Sequence, residues 1–195
     1  MNPFRRAADP HLLAVSMTGV KMGDRVVQIG SPHGGRMAAI AAKVGLSGQA
    51  TTVAPDVDAA VRARKAAAQA GVLVDVEVAP PTHLPIADGS FDLAVVDDTG
   101  GLLGSLRPED RVAALRELLR VLRAGGRAVV IAASPRGGIG ALLTRAQSGP
   151  GFDAVAALQA EGFRSVRKLA EREGLAFTEG IKPRAAGAGS SGEAG

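Results

Sequence analysis

The sequence predicts an α/β fold: a doubly wound, seven-stranded sheet, mostly parallel, with helices on both faces and an antiparallel hairpin at the C-terminal end. Short β-branched runs alternate with helix-like segments, and two strand-like runs close the chain with no helix between them. The length of 195 residues and the hydrophobic fraction of 46% suit one domain with a sizeable core. We expect a single domain at 1–182 and a small, polar, disordered tail at 183–195.

The predicted strands are short apolar runs bounded by turn residues. The first, "RVVQI", lies between an aspartate and a glycine, and the fourth, "FDLAVVDD", ends in two aspartates. In chain order they are 25–29, 50–55, 72–80, 91–98, 127–133 and, as the closing hairpin, 163–173 and 175–182.

The predicted helices show apolar residues at helical spacing or a composition rich in alanine. The segment 56–71 has acids in its first turn and a glycine at its end, as the helix dipole and C-cap rules require. The segment 107–126 is the most amphipathic, and Gly125 and Gly126 are expected to end it. Its apolar face comprises Val112, Leu115, Leu118, Leu119 and Leu122. In chain order the helices are 11–21, 35–44, 56–71, 107–126 and 153–162, and the glycine-rich stretch 134–151 is expected to be a flexible loop.

Composition excludes several classes of function. No apolar run reaches the roughly 20 residues of a membrane span, and no signal peptide is recognisable, so a cytoplasmic location is expected. The chain has no cysteine for disulfides, thiolate metal sites or nucleophilic thiols. Its net charge is +4, but arginine is dispersed and there is no Trp or Tyr, which gives no strong nucleic-acid signal.

The stretch "VVQIGSPHGG" at 26–35 is the main candidate for ligand binding. It joins the first strand to a helix through a glycine-rich turn, and that arrangement presents backbone N–H groups to a ligand. In open α/β sheets, ligands bind beyond the carboxyl ends of the strands, next to the first strand. We therefore place the site at this loop.

Three further segments follow in order: "LPIADGSFDLAVV" at 84–96, "ALRELLRVLRAGGRAVVI" at 114–131 and "LQAEGFRSVR" at 158–167. With the first loop, they resemble the class I S-adenosylmethionine-dependent methyltransferases of bacterial type, nearest to the small-molecule branch. The resemblance implies a Rossmann-like domain, S-adenosylmethionine as cofactor and methyl transfer to a small-molecule substrate.

The resemblance also implies three groups of cofactor-binding residues. The first loop supplies Gln28, Gly30, Ser31, His33 and Gly34; the end of the second strand supplies Ala54, Pro55 and Asp56; the segment beside the adenine supplies Thr82, His83 and Leu84.

Five residues depart from the family pattern. Gln28 stands in place of an acid, Pro32 in place of a glycine, and Ala54 in place of the acid that holds the ribose, while Pro80 and Pro81 follow the third strand where an acid often meets the adenine. Each charge-assisted hydrogen bond contributes about 1.5–3 kcal/mol, so loss of three acidic contacts weakens binding by about 10³-fold or more.

Asp97 and Asp98 are the candidate catalytic residues, because they end the fourth strand beside the expected site. A carboxylate there can accept a proton from a hydroxyl or amine, or bind a divalent ion, although no further metal ligands are recognisable. The alternative is that one of them caps the following turn. His33 and His83 are either ligand contacts or solvated loop residues.

Two functions remain open at this point. The first is a methyltransferase that binds its cofactor through backbone atoms and substituted side chains. The second is a catalytically inactive binding or assembly module that retains the fold and has lost normal cofactor affinity. A nicotinamide-dependent enzyme is disfavoured because the full glycine fingerprint is missing. Since little chain is left to build a lid, we expect an open pocket or one closed by a second subunit of a homo-oligomer.

Overall fold

The computed structural model describes residues 10–134 and 152–184. Within them the chain forms one seven-stranded sheet, flanked by helices on both faces. The strands are β1 (Arg25–Ile29), β2 (Gln49–Ala54), β3 (Asp75–Val78), β4 (Phe91–Asp98), β5 (Leu122–Ala133), β6 (Arg164–Arg172) and β7 (Leu175–Ile181). The helices are α1 (Leu12–Thr18), α2 (Gly34–Val44), α3 (Val57–Ala70), α4 (Pro108–Val121) and α5 (Ala154–Ala160).

The strand order is β3-β2-β1-β4-β5-β7-β6. Strands β1 to β5 pair in parallel, whereas β7 runs antiparallel to both β5 and β6. The fold class predicted from the sequence, including the closing hairpin, is confirmed. Because β1 is central, the order of the chain reverses beside it, and a ligand site is expected at its carboxyl end.

Alternate residues of the central strands build two separate cores. Val27 and Ile29 of β1 pack with Leu115 and Leu118 of α4 and with Leu158 of α5. The neighbouring residues on β1 and β4 face the other way, onto α1 and α2; this second core includes Val26, Leu93, Val95, Ile40 and Val44. The period-two alternation of a strand explains the division.

Helix boundaries follow local hydrogen bonding. Asp56 caps α3 by accepting a hydrogen bond from Ala59 N at 2.7 Å, and Gly71 ends that helix in the left-handed conformation. Asp153 caps α5 in the same way, accepting from Val155 N at 2.9 Å.

The predicted end of the helix 107–126 is wrong. Helix α4 stops at Val121, and Leu122 is already extended, with φ −73° and ψ 139°. The buried Leu122 lies opposite Phe91 on β4. Gly125 then adopts φ +76° and donates its N–H to Lys182 O. Pairing with β4 therefore outweighs the helical pattern, and the glycine pair lies inside β5.

Other predictions fall partly outside the described residues. These are most of the loop 134–151 and the tail 183–195 beyond its first two residues. Among the described residues, no helix has both the length and the apolar character that crossing a bilayer requires.

Candidate functional site

The carboxyl ends of the central strands bring together most of the residues singled out by the sequence. Gly30 N donates to Val53 O at 3.1 Å, and Ala79 N donates to Ala54 O at 3.0 Å. These bonds align the ends of β1, β2 and β3. The first glycine loop, the residues after β2 and the two aspartates that end β4 consequently share one edge of the sheet.

The glycines of the first loop are required by internal packing. Gly30 has φ +73°, and a Cβ there would lie 3.0 Å from Leu102 Cδ2 and 3.1 Å from Asp97 O. A Cβ on Gly34 would lie 2.5 Å from Ala66 Cβ on α3. Both positions therefore need glycine whether or not a ligand approaches, and the glycine pattern by itself does not prove a cofactor site.

Gln28 has a task that an acid cannot perform. It is buried, and its Nε2 donates to Gly30 O at 3.1 Å, which ties the strand to the start of the loop. A carboxylate has no proton to donate and would face that carbonyl repulsively. The amide oxygen, Gln28 Oε1, is buried without a hydrogen-bond partner.

Three buried side-chain polar atoms have no partner among the described residues, and all lie around this loop: Gln28 Oε1, Ser31 Oγ and Thr52 Oγ1. Gln28 and Thr52 are register partners on adjacent parallel strands, so their side chains leave the sheet on the same face. Ser31 directly follows Gly30. Because an unsatisfied buried group costs about 1–3 kcal/mol, such a cluster needs a ligand or ordered water to complete it.

Asp97 forms a buried ion pair that the sequence did not reveal. Its Oδ2 accepts from Arg36 Nε at 2.9 Å and its Oδ1 from Arg36 Nη2 at 3.3 Å, with side-chain exposures of 9% for Arg36 and 0% for Asp97. Thr99 adds its N–H at 3.2 Å and its hydroxyl at 2.6 Å. The carboxylate joins the end of β4 to the first turn of α2, and its acceptor sites are occupied.

Asp98 folds the loop that follows β4. Its Oδ1 accepts from Leu103 N at 2.6 Å, and Arg111 Nε secures the same turn by donating to Leu103 O at 3.0 Å. Burial raises the pKa of the Asp98 carboxyl, against the lowering effect of backbone hydrogen bonds from Leu103 and Gly104. The turn places Leu102 against Gly30. Asp98 therefore performs the capping task that the sequence left open.

The residues after β2 offer little for a ribose. Ala54 is fully buried, and Pro55 is exposed. The Asp56 side chain is exposed and committed to capping α3. In this arrangement no carboxylate stands at the position of Ala54.

Thr82, His83 and Leu84 lead away from the edge towards α4. Leu84 N donates to Glu117 Oε2 at 2.7 Å, and the Leu84 side chain is buried in the core that contains α4. Arg120, which also binds Glu117, holds the pKa of the Glu117 carboxyl below its ordinary value. The side chain of His83 is exposed.

Two features of this region are not apparent from the sequence. Arg36 follows the glycine loop on a helix and looked like one of many surface arginines, yet it is buried. Leu102 sits in a turn of small residues, and only the fold brings it to Gly30. As to metals, no group of three or more His, Asp or Glu side chains within the described parts of the chain can hold an ion.

Comparison with protein-family models identifies the family of this chain. The family model described as "Methyltransferase domain" matches residues 27–130, from β1 to β5. The chain belongs to the class I S-adenosylmethionine-dependent methyltransferase family. The matched segment contains the glycine loop, both aspartates of β4 and the amphipathic helix α4.

The chain is also similar to curated relatives and, in fold, to solved structures. "Uncharacterized protein Rv1405c" of Mycobacterium tuberculosis is 31% identical over 131 residues, which are 67% of this chain and 45% of that protein. The chain thus spans about half the length of the curated relatives that it matches. A SAM-dependent methyltransferase from Aquifex aeolicus superposes with a TM-score of 0.71 at 17% identity, covering 93% of this chain and 94% of its own.

The same fold also supports a different activity. The [4+2]-cyclase SpnF superposes with a TM-score of 0.63 at 18% identity, over 88% of this chain and 79% of its own. A methyltransferase fold therefore does not by itself establish methyl transfer, and the site must be argued separately.

Proposed function

We propose that this protein binds S-adenosylmethionine at the carboxyl edge of β1 and β2 and transfers its methyl group to a small molecule. The cofactor supplies an electrophilic methyl carbon on a positively charged sulfur. The protein's part is to hold that group and the acceptor in line, because positioning accounts for much of the acceleration in such a reaction.

The unpartnered polar atoms around the glycine loop carry this proposal. A cofactor ammonium or hydroxyl group can donate to Gln28 Oε1, and Ser31 Oγ can donate to or accept from the same ligand. These groups have no hydrogen-bond partner within the described part of the protein, and they lie at the edge where the family binds its cofactor. Binding there would remove the cost of their burial, and the residues present therefore fit the group.

We also propose roles for the remaining cofactor-binding candidates. We assign the loop backbone at Gly30, His33 and Gly34 to the end of the ligand near β1, and the backbone of Ala54 and Pro55 to its sugar side. Asp56 contributes only if it leaves the α3 cap. We place Thr82, His83 and the backbone of Leu84 beside the adenine.

Of the two aspartates, Asp98 is the better proton acceptor. Its raised pKa brings it closer to neutrality, where a general base is most effective. Asp97 instead positions Arg36 through its two hydrogen bonds to the guanidinium. We therefore propose Asp98 for proton transfer and Asp97 for support.

A second candidate is a non-catalytic binding module, and one feature favours it. Leu102 packs over Gly30 and Gly100 lies against Pro32, so the turn after β4 covers part of the glycine loop. With Asp56 and Asp97 also engaged internally, the site retains little charge for a cofactor. Such a module would keep the fold without binding S-adenosylmethionine.

Isothermal titration calorimetry with S-adenosylmethionine and S-adenosylhomocysteine separates the two functions. For the enzyme we expect one site with a dissociation constant on the order of tens of micromolar, since two neutral contacts replace part of what the missing acids supplied. Ser31→Ala should weaken binding roughly tenfold, whereas Ser47→Ala, an exposed serine in the turn before β2, should not change it. No heat at millimolar ligand would instead support the module.

A further inference from the structure

A cavity lies at the carboxyl edge of the sheet, on the α1 and α2 side. Its volume is about 590 Å³, enough for a small organic molecule. It opens between the start of α1, the start of α2 and the turn that joins β6 to β7. Its lining residues are Pro10, His11, His33, Arg36, Glu173 and Leu175.

Two of the three histidines in the sequence, His11 and His33, line this cavity, although they are far apart in the sequence. The His11 imidazole packs against Gly35 at the start of α2, where a Cβ would lie 2.5 Å from His11 Nε2. Glycine near the start of a helix is costly, and here it leaves the space that the imidazole occupies. His33 caps α2 without a side-chain hydrogen bond to that helix.

The charges around the cavity favour a cation. The charge of Arg36 is compensated by Asp97 at 2.9 Å. Glu173 sits at the hairpin turn with φ +55° and has no ion-pair partner in the part of the chain that the structure describes. With histidines counted as neutral, the described lining therefore carries one uncompensated negative charge. An anionic ligand would meet this carboxylate, whereas an ammonium group would be attracted to it.

We propose that this cavity binds a small primary amine in its ammonium form, and that this amine is the methyl acceptor. The second half of the statement rests on the proposed function, and the first half does not. Glu173 receives the ammonium group, and Pro10 and Leu175 contact the apolar part of the amine. An amine must lose one proton before its nitrogen can take up a methyl group. For an amine bound here, the His33 imidazole accepts that proton instead of Asp98, because His33 lines the cavity and Asp98 does not. The backbone of His33 belongs to the glycine loop, which connects the two sites.

Proton NMR of the full chain can test the amine site without any cofactor. Each histidine gives one imidazole ε1 proton signal, which His→Gln variants assign. We expect phenethylamine to shift the signals of His11 and His33 in a saturable manner. The His83 signal should stay in place, because that residue lies beside Glu117 on the α4 side of the sheet and serves as an internal control. Phenethyl alcohol should bind roughly tenfold more weakly or worse, and phenylpropionate should not bind.

Two substitutions locate the contact. Glu173→Gln keeps the shape and removes the charge, and it should weaken phenethylamine binding roughly tenfold. Glu109→Gln, an exposed glutamate at the start of α4, is the matched control and should leave binding unchanged. Gly35→Ala should displace the His11 imidazole. This should change the His11 signal in the free protein and weaken the binding of phenethylamine.

The outcomes separate the two proposals. Uniform shifts of all three histidines, stronger binding of phenylpropionate, or an unchanged affinity in Glu173→Gln would overturn the amine site. Amine binding without any S-adenosylmethionine binding would leave this site standing and refute the proposed function. Cofactor binding without amine binding would do the reverse.

Discussion

The buried pair of Arg36 and Asp97 makes the strongest prediction about stability. It links the first turn of α2 to the end of β4 and so holds the glycine loop against the sheet. Arg36→Met keeps a long, unbranched side chain but leaves Asp97 with only the two donors of Thr99. Asp97→Asn leaves the guanidinium without a carboxylate in a nearly closed environment.

The structure sets the size of the effect. The two hydrogen bonds measure 2.9 and 3.3 Å, and the side chains are 9% and 0% exposed, so water can replace the missing partner only poorly. Removing one member of such a pair costs about 3–5 kcal/mol. For a domain of this size, that corresponds to a fall in melting temperature of roughly 6–20 °C.

Urea and thermal unfolding followed by far-ultraviolet circular dichroism measure this loss, since the chain has no Trp or Tyr for fluorescence. The double variant should lose less than the sum of the single losses, by about 1 kcal/mol or more. Arg107→Met, which breaks an exposed pair with Asp110, should cost less than about 0.5 kcal/mol. Small and additive losses at Arg36 and Asp97 would refute the buried pair as described.

Three further predictions concern packing and pH. Gly34→Ala should cost about 1–3 kcal/mol because its new methyl meets Ala66 Cβ, and adding Ala66→Gly should recover part of that loss; no recovery would show that the strain lies elsewhere. Burial raises the pKa of Asp98, so its contribution to stability should fall as pH rises from about 4 to that raised value, and Asp98→Asn should remove this slope in pH-dependent urea melts. The pH dependence of Glu117 has the opposite sign, because Arg120 lowers the pKa of its carboxyl: its contribution to stability should be lost as pH falls from about 4.3 through that lowered value. Glu117→Gln should cost about 1–2 kcal/mol at neutral pH, and an unchanged melt would contradict the bond to Leu84.

The strands and most helices could be predicted from the sequence because local rules determine them. Two predicted strands, 25–29 and 91–98, match β1 and β4 without error, since β-branched runs between turn residues allow few other conformations. The antiparallel hairpin followed from two runs with no helix between them. The prediction of the end of α4 was wrong because the pairing of Leu122 with β4 is a tertiary effect that no local sequence pattern indicates.

The details of the site depend on contacts distant in sequence. Arg36 and Asp97 are 61 residues apart, and nothing in the local sequence of either residue indicates that the two form a pair. The sequence shows a glutamine at position 28 where the family has an acid, but the bond from Gln28 to Gly30 O is visible only in the folded loop. The resemblance assigns Gly30 and Gly34 to the cofactor, but Cβ atoms at these positions would meet Leu102 and Ala66, which only the fold brings close.

A crystal structure of the protein with saturating S-adenosylhomocysteine tests the central claim most directly. We expect the ligand at the carboxyl edge of β1, with polar atoms within hydrogen-bonding distance of Gln28 Oε1 and Ser31 Oγ and with Leu102 moved off Gly30. A ligand bound at the opposite edge, or a glycine loop still covered by Leu102 with both oxygens unpartnered, would contradict it.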